Sequence, residues 1–130
     1  MDLNMTEITI ITIGGNKKRM IAVIFEVYPK NGKVEEYLDI AQELKPELSK
    51  ISGFISIERF QSLVNPDKIL SLSFWENEES VKQWRNVTLH RNAQEKGRHS
   101  VFENYRLRVA GVIRDYGMTE REQAPEDSIF

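Results

Sequence analysis

The chain has 130 residues, 40% hydrophobic and 29% charged, with a net charge of −2 and no cysteine. That length supports one domain with a core of its own. The composition excludes disulfides, thiolate nucleophiles and thiolate metal sites, and the mixed charge offers no basic surface to nucleic acid.

Residues 1–18 read as an N-terminal extension. Thr6-Glu7-Ile8-Thr9-Ile10-Ile11-Thr12-Ile13 is β-rich and predicts an extra strand, paired with an edge strand or with a partner chain. Gly14-Gly15-Asn16 is a turn, and Lys17-Lys18-Arg19 a solvated basic run. Met1-Asp2-Leu3-Asn4 has neither the basic start nor the long apolar segment of a secretory signal, and the longest apolar runs are too short to span a bilayer. A soluble, cytoplasmic protein with no membrane partner is expected.

The main domain is expected over residues 19–117. Met20 to Tyr28 predicts a strand, with Ile21, Val23, Phe25 and Val27 on one face and Ala22, Ile24 and Glu26 on the other. Two largely apolar faces imply cover on both sides. After the turn Pro29-Lys30-Asn31-Gly32, the residues Val34, Tyr37, Leu38, Ala41, Leu44 and Leu48 recur at helical spacing. Pro46 is expected to kink that helix or to begin a new turn. Phe54 to Gln61 and Ile69 to Trp75 form a hairpin around Asn65-Pro66-Asp67.

Leu70, Leu72 and Phe74 alternate with Ser71, Ser73 and Trp75, then Asn77-Glu78-Glu79 places carboxylates at a helix start. The helix carries Val81, Trp84 and Val87 and is expected to run towards Gly97, restarting briefly at His99 to Asn104. In one continuous helix Trp84, Val87, His90, Arg91 and Gln94 share an arc of roughly 120°. Such a face is either one wall of a ligand pocket or a helix running out of the core into solvent. Arg106 to Arg114 alternates as a last strand, and residues 118–130 read as a polar tail ordered by docking.

The order βαββαβ predicts an α+β, ferredoxin-like domain: a four-stranded antiparallel sheet with both helices on one face. The other face needs cover, and a second copy of the chain supplies it most simply. A homodimer through the open sheet face is expected.

The junction Leu72-Ser73-Phe74-Trp75-Glu76-Asn77-Glu78-Glu79, the helix tryptophan Trp84 and the closing stretch Tyr105 to Gly117 resemble the antibiotic biosynthesis monooxygenase (ABM) domain family, over roughly Arg19 to Gly117. The resemblance implies dimeric α+β barrels with a pocket between helices and sheet in each protomer. Well-studied members oxidise phenolic polyketides or quinols with O₂ and no metal or flavin cofactor, while another branch degrades haem. Trp84 matches the helix tryptophan used by both branches. Gln94 stands where the haem branch has its ligating histidine, His90 lies one turn too early, and Glu26 is the only polar inward candidate where that branch has a strand asparagine. Haem degradation is therefore disfavoured.

Trp84 is either a ring-stacking or radical-relay residue or plain core. His90 is either a general base for a phenolic proton or a surface histidine. Arg91, Arg98, Arg106 and Arg108 could hold an oxyanion or pair with Glu58 or Glu95. Glu26 and Glu58 interrupt apolar faces and are either site carboxylates or partners of Arg59, Arg106 or Arg108. With Trp75 and Gln94, these give a candidate set of His90 and Trp84 for catalysis and Arg91, Gln94, Trp75, Arg108 and Glu26 for substrate binding. His90 and His99 with Glu95 or Glu103 match no zinc spacing, so no metal is expected. Gly14-Gly15 alone makes no phosphate loop. The leading expectation is a cofactor-independent monooxygenase acting on a small aromatic phenol or quinol. The alternatives are a non-catalytic dimeric binding module and a dimerisation scaffold whose pocket is filled.

Overall fold

In the computed structural model, which describes residues 20–130, period-two alternation in four segments builds one antiparallel sheet. The strand expected at residues 6–13 lies outside the described residues. The strands are β1 (Ile21–Pro29), β2 (Phe54–Gln61), β3 (Ile69–Trp75) and β4 (Phe102–Gly111). They lie in the order β2-β3-β1-β4, with every neighbouring pair antiparallel. The fold is the ferredoxin-like α+β arrangement.

Among the described residues three α-helices accompany the sheet: α1 (Val34–Leu48), α2 (Glu78–Arg85) and α3 (Thr88–Lys96). α1 buries Tyr37, Ala41 and Leu48, the stripe expected from its periodicity, and continues through Pro46 to Leu48. Only the last turn follows Pro46, so little helix depends on the backbone donor that proline lacks.

Register decides what the helices meet. Ile57 of β2 pairs with Ser73, which pairs with Val23, which pairs with Val109 of β4. One step along, Arg59, Ser71, Phe25 and Leu107 form the parallel row. Side chains in such a row share a sheet face. These rows lie beneath the helices; Ile24, Leu70, Leu72 and Phe74 occupy the opposite face.

The core divides in two. Val27, Tyr37, Ile69 and Val101 make one buried cluster, with Phe25, Ile40 and Phe102 packed against it. Leu48, Trp75 and Val81 make the other, joined by Val23, Ile57 and Trp84 among others. Between them the centre of β3 offers only Ser71 and Ser73 to the helices. Two small side chains where Leu or Ile would fill the space leave a gap in the packing.

The second helical region departs from the expected single helix. Asn86 Nδ2 donates to the Lys82 carbonyl at 2.9 Å, so its side chain takes an acceptor of the last turn of α2. Val87 is extended (φ −68°, ψ 131°), and α3 starts afresh after it. Past Lys96 the chain winds as a wider π turn over Gly97–Val101, then enters β4 at Phe102. The short helix expected at His99 to Asn104 and the strand start expected at Arg106 are both corrected by this early entry. The Lys30 N–H donates to the Val101 carbonyl at 2.7 Å and fixes the turn beside the end of β1.

Beyond β4 the polar tail forms turns on itself. Arg121 donates to the Gly117 and Ser128 carbonyls and lies over the Tyr116 ring. Among the described residues no helix is long and apolar enough to cross a membrane.

Candidate functional site

The gap over Ser71 and Ser73 is a cavity of about 280 Å³. Its floor is the sheet, from Arg59 and Ile57 across to Leu107 and Val109; its roof comes from α1, α2, α3 and the π turn. This is near the lower end of the volumes that hold small organic ligands.

Asn77 starts the wall that matters most. Its Oδ1 accepts the Ser80 N–H at 2.9 Å, an N-cap that sets the first turn of α2. Glu78 and Glu79 in that turn and Arg85 in the last agree with the helix dipole. The Ser80 hydroxyl donates to the Ser52 carbonyl at 2.7 Å and pins α2 to the loop before β2. Gly53, at φ +96°, allows that approach: a Cβ there would lie 1.9 Å from Ser80 Oγ. One turn after Ser80, Trp84 reaches the cavity. Its ring lies 6.5 Å from that of Trp75, which is fully buried and donates its indole N–H to Ser73 Oγ at 2.9 Å.

His90 stacks on Trp84, with ring centroids 4.2 Å apart and planes inclined by 32°. Its Nδ1 lies 3.0 Å from the Trp84 carbonyl oxygen. A carbonyl can only accept, so Nδ1 carries the hydrogen and the neutral ring keeps a free lone pair on Nε2. Burial pushes the His90 pKa below its ordinary value, and the hydrogen bond to the Trp84 carbonyl only partly offsets this. A neutral imidazole in an apolar cavity can accept a proton from a bound acid.

The candidate residues separate on this geometry. Trp75, Trp84, His90 and Gln94 all line the cavity. Arg91 does not; it is exposed, because the break at Asn86-Val87 resets the helical phase on which the expected arc depended. Glu26 and Arg108 are also corrected. Both project from the sheet face away from the helices, where the Glu26 carboxylate lies 3.5 Å from Lys68 Nζ and 3.6 Å from an Arg108 guanidinium nitrogen. Alternation explains it: Phe25 and Leu107 face the cavity, so their neighbours in sequence cannot. Arg106 pairs in register with Glu26 on that same face.

Three cavity arginines, Arg59, Arg85 and Arg98, stand outside the candidate set; of these the sequence offered Arg98 as an oxyanion holder or ion-pair partner and Arg59 as a partner of a strand glutamate. Arg59 carried a signal: it follows Ile57 by two on β2, a cation continuing an apolar strand face. Arg85 carried none, since an arginine in the last turn of a helix is ordinary. Among the described residues no cluster of three His, Asp or Glu side chains could hold a metal ion.

Comparison with known proteins agrees with this geometry. The model of the family described as antibiotic biosynthesis monooxygenase matches residues 20–96. A Pyricularia oryzae protein called jasmonate monooxygenase ABM is 52% identical over 93 residues, which make up 72% of this chain and 43% of that protein. The chain thus spans less than half the length of that relative. An uncharacterized protein of Bacillus subtilis is 30% identical over 93 residues, 72% of this chain and 79% of its own. Among solved structures, a conserved protein of Methanosarcina mazei Go1 matches with a TM-score of 0.66 at 21% identity, over 73% of this chain and 94% of that one. A Mycobacterium tuberculosis protein matches with a TM-score of 0.68 at 10% identity, over 75% and 99%. At such identities the structures speak for the fold alone. The family match runs from the residue before β1 to the end of α3 and includes Trp75, Trp84, His90 and Gln94: the chain belongs to the antibiotic biosynthesis monooxygenase family.

Proposed function

We propose that the protein is a monooxygenase that takes a small aromatic molecule of phenol or quinol type into the cavity between α2, α3 and the sheet. The observation that supports this most is the His90–Trp84 pair, a neutral imidazole held by a carbonyl against an indole face that a second ring can share. His90 Nε2 takes the phenolic proton. The phenolate delocalises charge onto a ring carbon, which donates an electron pair to O₂ and forms a C–O bond. Loss of the hydrogen on that carbon as a proton and cleavage of the O–O bond leave a quinone, and the second oxygen departs as water with that proton and the one His90 had held. The carbon is oxidised, O₂ is the only oxidant, and no resident cofactor is required. Gln94 supplies a neutral donor to the oxyanion that forms on the way.

The test is oxygen uptake with a panel of anthrones and naphthalene-type quinols, corrected for autoxidation. Jasmonate joins the panel because it stands in the name of the Pyricularia oryzae relative. Uptake that falls in both Trp84→Ala and His90→Ala supports the reading. Uptake equal to autoxidation across the panel, with cavity ligands still bound, turns the assignment to a non-catalytic binding module.

We further propose that the working form is a homodimer. Ile24, Leu70, Leu72 and Phe74 make an apolar sheet face that no helix among the described residues covers, and a second copy would bury it.

A further inference from the structure

We infer that the cavity selects an apolar molecule bearing one carboxylate, and that Arg59 is the side chain that holds it. This deepens the proposed function and rests on the same cavity being the substrate site.

Three guanidinium groups, from Arg59, Arg85 and Arg98, line the cavity, and no Asp or Glu side chain does. Among the described residues none of the three makes an ion pair. Arg85 and Arg98 are exposed, so water serves them. Arg59 is different: it is half-buried on the floor, and its Nε is buried with no hydrogen-bond partner. A buried N–H on a cation without an acceptor is costly, and an anion within reach removes that cost.

The shape of the acceptor follows from the donor. A guanidinium presents its N–H groups as a flat fork that matches the two oxygens of a carboxylate. The register places Arg59 in the row with Ser71, Phe25 and Leu107, so only a small hydroxyl separates it from an apolar, aromatic floor. A ligand with its carboxylate on Arg59 would lay its carbon body over Phe25 towards Trp84 and His90. A neutral phenol, quinone or ester can offer Arg59 Nε an uncharged acceptor but neither the charge nor the paired oxygens of a carboxylate.

The chain's only two tryptophans, Trp75 and Trp84, both line the cavity, so tryptophan fluorescence reads occupancy directly. The probes are 4-phenylbutanoate and its uncharged methyl ester, titrated into the full chain without turnover. The acid should bind about tenfold or more tighter than the ester. Arg59→Met should remove that preference by weakening the acid, with the ester's affinity retained as the control that the cavity is still formed. Arg59→Lys should recover only part, because a point charge replaces a fork. Equal binding of acid and ester, an unchanged preference in Arg59→Met, or quenching by neither probe at millimolar concentration overturns the assignment. Arg59-dependent acid binding without oxygen uptake would leave it standing while the monooxygenase reading failed. Uptake with neutral quinols, indifferent to Arg59→Met, would do the reverse.

Discussion

Gly53→Ala should be among the most damaging single-methyl changes in the protein, and Gly32→Ala separates the reasons. Both glycines have positive φ, +96° at Gly53 and +82° at Gly32. An alanine in that region costs about 1–2 kcal/mol from backbone sterics alone. At Gly32 nothing lies within 4 Å of the added Cβ, so the cost ends there. At Gly53 the Cβ would lie 1.9 Å from Ser80 Oγ and 3.0 Å from Ser80 Cβ. Ser80 must move and give up its 2.7 Å hydrogen bond to the Ser52 carbonyl. Ser80 is buried, so the orphaned groups add about 1–3 kcal/mol. The expected totals are about 2–5 kcal/mol for Gly53→Ala and about 1–2 for Gly32→Ala. Urea unfolding followed by tryptophan fluorescence at fixed protein concentration measures both. In a Ser80→Ala background the overlap with Oγ and the lost hydrogen bond vanish, leaving the backbone part and the 3.0 Å approach to the residue-80 Cβ, so the cycle should show a coupling of about 1–3 kcal/mol. Equal costs at the two glycines, or additivity within about 0.5 kcal/mol in the cycle, would refute the contact between Gly53 and Ser80 as the constraint that seats α2.

Three further outcomes are expected. His90 should give activity an acid limb whose midpoint lies below the ordinary histidine value of about 6.5, because burial depresses its pKa. Its stability effect has the same sign: as pH falls below about 6.5 the unfolded chain takes the proton first, so stability declines until the folded-state value is passed and then levels. His90→Asn, which keeps a donor for the Trp84 carbonyl, should remove the decline; thermal unfolding across that pH range checks it. Ser73→Ala should cost about 1–3 kcal/mol in urea unfolding, because the indole N–H of buried Trp75 loses its acceptor at 2.9 Å. Gly97→Ala should cost about 1–3 kcal/mol by overpacking, since its Cβ would lie 2.8 Å from the Phe102 ring, itself held against Phe25, Tyr37 and Tyr105. Far-UV circular dichroism should show that this variant still folds.

The strand–helix order was legible because periodicity and turn chemistry agreed at nearly every step. Tyr37, Ala41 and Leu48 fall on one face of α1, and Asn77 caps α2 where the carboxylates mark its start. The site was legible where it rests on a single element. Trp84 sits on α2 at helical spacing, and Trp75 ends a strand whose alternation is clean. It was not legible where two elements meet. Asn86 looks like an ordinary polar residue on a helix surface, yet its side chain joins its own backbone N–H on the Lys82 carbonyl, Val87 after it turns extended, and Arg91 on the new helix is exposed. His90 reaches Trp84 through the new helix, so the residue expected from a continuous arc is present for a different reason. Sheet faces posed the second difficulty. Alternation puts Glu26 and Arg108 together and apart from Phe25 and Leu107, but which face the helices cover depends on tertiary packing. Arg59 was hidden by the same ambiguity, since a strand arginine near Glu58 reads as half of a surface pair.

The measurement closest to the centre of this account is the fate of isotope-labelled O₂ in the wild type and in His90→Asn, with the panel compound that gives the fastest uptake. The expected result is one labelled oxygen atom in the quinone and the other in water, at a rate that falls by about a hundredfold or more in the variant. Label absent from the product, or incorporation in His90→Asn at the wild-type rate, would contradict a monooxygenase that works through this imidazole.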